Sequence, residues 1–121
     1  MDGEGGNDIW GWADAQTGRE YALMGLQNGT AFVDITDPEE AVFLGRLPTQ
    51  TTSSIWRDIK VYRDHAYIVA DGAGAHGMQV FDLTDLLDVA APPTTFGETT
   101  HYDGFGNAHN IVVNEDDDTA Y

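Results

Sequence analysis

One short phrase occurs twice in this chain. Residues 30–37 read TAFVDITD and residues 78–85 read MQVFDLTD, which puts Asp34 and Asp82 48 positions apart (82 − 34). The same spacing, within a few residues, relates Asp8-Ile9-Trp10 to Asp58-Ile59-Lys60 and Tyr21-Ala22-Leu23 to Tyr67-Ile68-Val69. A third copy begins at Asn110-Ile111-Val112. Short β-rich runs repeating every 40 to 50 residues or so describe units of about four strands, too small to bury a core alone and stable only when stacked on a neighbour. The expected fold class is therefore all-β, with β-propeller blades at approximately 7–52, 53–104 and an incomplete 105–121. Propellers close with about four to eight blades, so two blades and part of a third read as a fragment of a larger propeller whose remaining blades lie elsewhere in the full-length protein.

Local patterns fill in the units. In the second, residues 58–62 and 65–70 alternate as two strands around an Arg63-Asp64 turn, residues 78–83 form a third, and a weak fourth falls within 94–101. Residues 86–91 suit a helical turn capped by Thr84 or Asp85 and closed by Pro92-Pro93. In the first, strands are expected at 9–13, 20–25, 30–35 and 41–47, with Gly18 where φ must be positive and Asn28-Gly29 as a two-residue hairpin. In the third, 110–114 and 119–121 flank an acidic turn. Asp34 and Asp82 are expected to cap turns, and Trp10 and Trp56 to pack between units.

Charge narrows the partners. Five Lys plus Arg against 21 Asp plus Glu give a formal charge of −16, a field that repels phosphate backbones and argues against nucleic acid. Solubility, adaptation to high salt and divalent-cation binding are the readings of that charge, in that order. An apolar content of 41 % is too high for a disordered acidic tail. The opening residues show neither the basic nor the apolar region of a secretory signal, and no run is long enough to span a bilayer. With no cysteine, thiolate metal sites and a cysteine nucleophile are excluded.

Several blocks together resemble the choice-of-anchor B family, whose members carry LVIVD-type propeller repeats. They are Asn7-Asp8-Ile9-Trp10-Gly11-Trp12, Thr17-Gly18-Arg19-Glu20-Tyr21-Ala22, residues 28–38, Ser54-Ile55-Trp56-Arg57-Asp58-Ile59-Lys60-Val61-Tyr62, His76-Gly77-Met78-Gln79-Val80-Phe81-Asp82-Leu83 and Ala108-His109-Asn110-Ile111-Val112-Val113-Asn114. The WRDIKVY and HGMQVFDL blocks are the specific ones. The resemblance implies a secreted or cell-surface, extracytoplasmic protein. It supplies no reaction, and fold alone licenses none.

In a blade whose strands run from axis to rim, the connection entering the first strand and the loop between the second and third emerge on one face. That brings together Trp56, Arg57, Asp58, His109 and Asn110 with Asp71 and His76 as ligand-binding candidates. His76 and His109 do not recur in the first unit and stand out for that reason, whereas Asp8, Asp58 and Asn110 occupy one repeated position that more often bonds neighbouring backbone. His76, His109 and Asp58 form a candidate set for a divalent metal ion, without close ligand spacing to support it. Asp116-Asp117-Asp118 offers calcium-type oxygens but lacks a calcium-loop glycine pattern. No G-x-S-x-G elbow and no phosphate loop occur. The expected function is a ligand- or protein-binding scaffold module for an extracellular protein or small molecule. A metal-assisted hydrolase or lyase at the channel mouth, and a purely structural surface repeat, are the alternatives.

Overall fold

Strands run β1 (Gly6–Ala13), β2 (Glu20–Leu26), β3 (Gly29–Asp34), β4 (Val42–Pro48), β5 (Trp56–Tyr62), β6 (His65–Asp71), β7 (Met78–Asp82), β8 (Thr94–Thr95), β9 (Thr100–Tyr102), β10 (Val113–Asn114) and β11 (Thr119–Ala120) in a computed structural model that describes residues 4–121. The protein is all-β; the sole helical element among the described residues is one 3-10 turn, Leu83–Leu86. Residues 1–3, part of the stretch read above for a secretory signal, lie outside the described residues. No helix among the described residues is long and apolar enough to cross a membrane.

The strands form a sheet ordered β1-β2-β3-β4-β8, a second ordered β5-β6-β7-β9, and the hairpin β10-β11, none of them closed. Pairing is antiparallel except for β8, which runs parallel to β4. The weak strand expected within 94–101 is thus divided. Thr94–Thr95 crosses back to the first sheet and Thr100–Tyr102 completes the second. Gly45 makes that crossing possible, because a Cβ there would stand 1.9 Å from the Thr94 carbonyl oxygen.

Turn chemistry accounts for most boundaries. Arg63 and Asp64 both take positive φ, 45° and 58°, the two-residue turn whose twist matches a hairpin. Gly18 sits at φ 72°. At the next hairpin the loop residues are Gln27 and Asn28, one position earlier than the Asn-Gly signal suggests, since Leu26 pairs with Gly29. Asp34 and Asp82 do cap turns: each Oδ1 accepts the backbone N–H two residues on, at 3.0 Å. Asp82 rather than Thr84 or Asp85 caps the helical turn, which therefore begins earlier than expected.

Alternation gives each sheet two faces, called front and back here. The front of the first sheet carries Trp12, Tyr21, Leu23 and Phe32, and it packs on the back of the second, which carries Ile59, Ala66, Ile68 and Phe81. Phe32 stacks on Phe81 at 4.7 Å, and Phe96 meets both edge-on. Register corrects one repeat pairing. Ile9 pairs with Met24 and Ile59 with Ile68, so Leu23, not Tyr21, is the counterpart of Tyr67. The longer β1–β2 connection absorbs the difference.

The front of the second sheet, with Tyr67, Val69 and Met78, in turn faces Ile111, Val113 and Ala120 of the third unit. Stacking is thus front to back along the chain. Repeated bonds fix it: Asp8 Oδ2 accepts the Ile59 N–H at 2.8 Å, and Asp58 Oδ2 accepts the Ile111 N–H at 2.7 Å. At the opposite end of the strands Trp12 Nε1 donates to Asp64 at 3.0 Å, and the Tyr62 hydroxyl bonds Asp118.

Candidate functional site

The segment 49–55, the β6–β7 loop and the segment 103–112 meet at one end of the sheets. Ala73 N–H donates to Asn107 Oδ1 at 2.9 Å, Gly77 N–H to the Gly106 carbonyl at 2.8 Å, and the Thr51 hydroxyl bonds the Ala73 carbonyl. The loop can follow this path because Gly72, Gly74 and Gly77 all lie near φ 65°. A Cβ at Gly77 would sit 2.3 Å from the Tyr102 carbonyl oxygen.

Beside this junction opens a cleft of about 360 Å³ lined by Asn7, Asp8, Ile55, Trp56, Arg57, Asp58, His109 and Asn110. Five of the seven sequence candidates line it. Trp56 was expected to pack between units but is 49 % exposed, and Trp10 is likewise partly exposed; Trp12 takes the buried place. The Trp56 indole stands beside Gly72 and is tilted against the His109 ring at 6.3 Å between centroids. Asp71, just outside the lining, accepts from His109 Nδ1 at 3.0 Å. The carboxylate can only accept, so Nδ1 carries the proton of that bond, and in the neutral ring Nε2 is the acceptor left toward solvent.

Asp58 is already occupied. Its Oδ1 accepts from Lys60 Nζ at 2.6 Å, and its Oδ2 holds Ile111 N–H with a longer contact to Asn110 Nδ2 at 3.4 Å. Burial works to raise this carboxyl, but the bonds from Lys60 and Ile111 outweigh it and hold it below the usual aspartate range. The repeated aspartate thus serves architecture.

Arg57 reaches inward from the cleft and is buried. Its Nε donates to the Leu26 carbonyl at 3.0 Å, one terminal nitrogen to Thr49 Oγ1 at 3.0 Å and the Gln27 carbonyl at 3.4 Å, and the other meets His76 Nε2 at 3.1 Å. Burial pushes the guanidinium down to about 10, which still leaves it charged at neutral pH. Its partners are carbonyl dipoles, a hydroxyl and a neutral ring rather than a carboxylate.

This geometry separates His76 from the rest of the set. The ring is fully buried, donates from Nδ1 to the Gly77 carbonyl at 2.9 Å, and spends its Nε2 lone pair on Arg57. Burial first, and the adjacent Arg57 charge with it, hold its pKa below the ordinary imidazole range. It is a core histidine, and the expected grouping of His76 with His109 and Asp58 around one metal is not what the fold produces. No group of three or more His, Cys, Asp or Glu suited to a metal forms among the described residues, the acidic 116–118 turn included.

Sequence reading passed over Asn7 and Ile55, which line the cleft, and set His101 below His76 and His109; its Nε2 bonds the His76 carbonyl at 2.7 Å. Asn7 carried a signal, since it occupies the repeat position of Arg57 and donates to the Arg57 carbonyl at 2.7 Å. No family model, curated protein or solved structure matches this chain.

Proposed function

We propose that this chain is part of an exported or cell-surface β-propeller of the LVIVD-repeat, choice-of-anchor B kind, and that it acts as a binding module whose ligand sits in the Trp56 cleft. Front-to-back stacking with repeated aspartate bonds supports successive blades, because a blade must offer one face to each neighbour. The observation that carries the binding reading is the pairing of a half-exposed indole with an imidazole that Asp71 orients and leaves free at Nε2. An exposed aromatic beside fixed polar atoms in a concavity is the usual composition of a small-ligand site. The apolar cavity of about 280 Å³ between Val69, Met78, Tyr102, Phe105, Ile111 and Tyr121 lies instead where the second and third units face each other, and belongs to stacking.

A metal-assisted hydrolase or lyase draws no support from this donor set, as His76 is committed to Arg57 and Asp58 to Lys60 and Ile111. Screening a small-fragment library by amide and indole NMR tests the binding reading. Saturable shifts should cluster at Trp56, His109 and Asn110 and vanish in Trp56→Leu. Shifts confined to the apolar cavity, or unchanged in that variant, would refute it. Fractionation of the source cells tests export, and recovery in the cytosol would refute that part.

A further inference from the structure

We infer that the cleft takes a cation, specifically a planar guanidinium group, which stacks on Trp56 and donates hydrogen bonds to the atoms around it. This assignment rests on the cleft being a binding site and goes on to name the chemistry of its ligand.

The first support is a census of free atoms. Asp8 uses Oδ2 on Ile59 N–H and has no partner at its other oxygen among the described residues. Asn7 and Asn110 each commit Nδ2, to the Arg57 carbonyl and to Asp58, leaving their Oδ1 atoms. His109 commits Nδ1 and leaves Nε2. Every one of these remaining atoms is an acceptor. A guanidinium is the complementary group, since it carries five donors in a plane and no acceptor.

The second support comes from the protein's own cations. All five are committed internally: Arg19 to Asp34, Arg46 to Glu4, Lys60 to Asp58, Arg63 to Asp118, and Arg57 within the core. Among the described residues, an anionic ligand at the cleft therefore meets only the buried Arg57, whose donors are already spent, in a chain of net charge −16. Three of the five also lie over aromatic rings, Arg19 over Tyr21 at 5.5 Å, Lys60 over Trp10 at 4.6 Å and Arg63 over Tyr62 at 5.1 Å. Trp56, about as open to solvent as Trp10, lies beside Asp8 and Asp71 and has no cation over its ring among the described residues. The indole is the strongest of the aromatic faces for a cation.

Nα-acetylargininamide and its neutral isostere Nα-acetylcitrullinamide separate charge from shape, and methyl glucoside represents a neutral polyol that also stacks on indole. The arginine compound should shift the Trp56 indole N–H resonance saturably and bind at least about tenfold more tightly than the citrulline compound at low ionic strength. Trp56→Leu and Asp8→Asn should each weaken it several-fold. Asp8→Asn retains an oxygen for Ile59 N–H; should it nonetheless unfold, the salt dependence of the wild type replaces it, with screening weakening the arginine compound alone. Equal binding of the citrulline compound, or preferential binding of the glucoside at the same residues, overturns the cation assignment and leaves the cleft as a site. Absence of saturable binding by all three overturns both.

Discussion

Ile9 and Ile59 hold the same place in consecutive units, each flanked by an aspartate on the N-terminal side and pointing from the back of its sheet. Ile9 is 61 % exposed and Ile59 is 0 % exposed. The contrast extends along the two backs, with Met24 and Val33 partly exposed while Ile68 and Phe81 are fully buried. Residue type is shared because the unit is repeated. Burial differs because, among the described residues, the second sheet has another sheet against its back and the first does not.

The sharpest way to break this comparison is to truncate both isoleucines. Ile59→Ala should cost about 2–5 kcal/mol, the transfer loss plus a cavity under Phe32 and Phe81, whereas Ile9→Ala should stay within about 0.5 kcal/mol. Urea midpoints measure both. Equal losses would show that the back of the first sheet is covered in solution.

A smaller difference is expected between the two repeated aspartates. Asp58→Ala strands the Ile111 N–H and releases Lys60 and Asn110, at a cost of about 2 kcal/mol; Asp8→Ala strands the Ile59 N–H alone, at about 1 kcal/mol. Thermal unfolding of the two variants orders them. The reverse order would mean that the bond between the first two sheets, rather than the next, carries the stacking.

The finest test uses acid. His76 is held neutral by burial, so its folded pKa lies below the unfolded value of about 6.5. Below that value the unfolded chain binds the proton first. The contribution is full above about pH 6.5 and is lost as pH falls toward the folded pKa. Asp34, Asp58 and Asp82, all lowered in the fold, lose theirs only in the more acidic carboxylate range. His76→Gln, which keeps an acceptor for Arg57, should flatten the first window and spare the second. An unchanged slope would show that another group carries it.

The two strongest histidine candidates, His76 and His109, looked alike in sequence and part ways in the fold. Both are polar, both lack a counterpart in the first unit, and both sit in connections at the same end of the sheets. His109 lies half-open beside Asp71, and its position before the third unit was readable from the repeat. The fate of His76 was not readable, because it depends on Arg57 turning inward across the sheet stack. A buried guanidinium without a carboxylate leaves no pattern in sequence; of its partners, Leu26 and Gln27 contribute backbone carbonyls and Thr49 and His76 uncharged side chains. The divided strand at 94–102 was hidden for a similar reason, since two-residue pairings carry no alternation to detect.

What the sequence determined by itself is periodic: the all-β class, the repeated unit, the Arg63-Asp64 and Gly18 turns, the capping aspartates, and the end of the sheets where Trp56, Arg57, Asp58, His109 and Asn110 come together. These follow from local conformational preference and from alternation, both of which are properties of neighbouring residues. Only the tertiary structure decided which isoleucine is buried, which histidine is free, and that β8 returns to the first sheet. Those outcomes depend on what lies across a sheet interface, and the free energy of burying or pairing a group is set by that distant partner rather than by its neighbours in the chain.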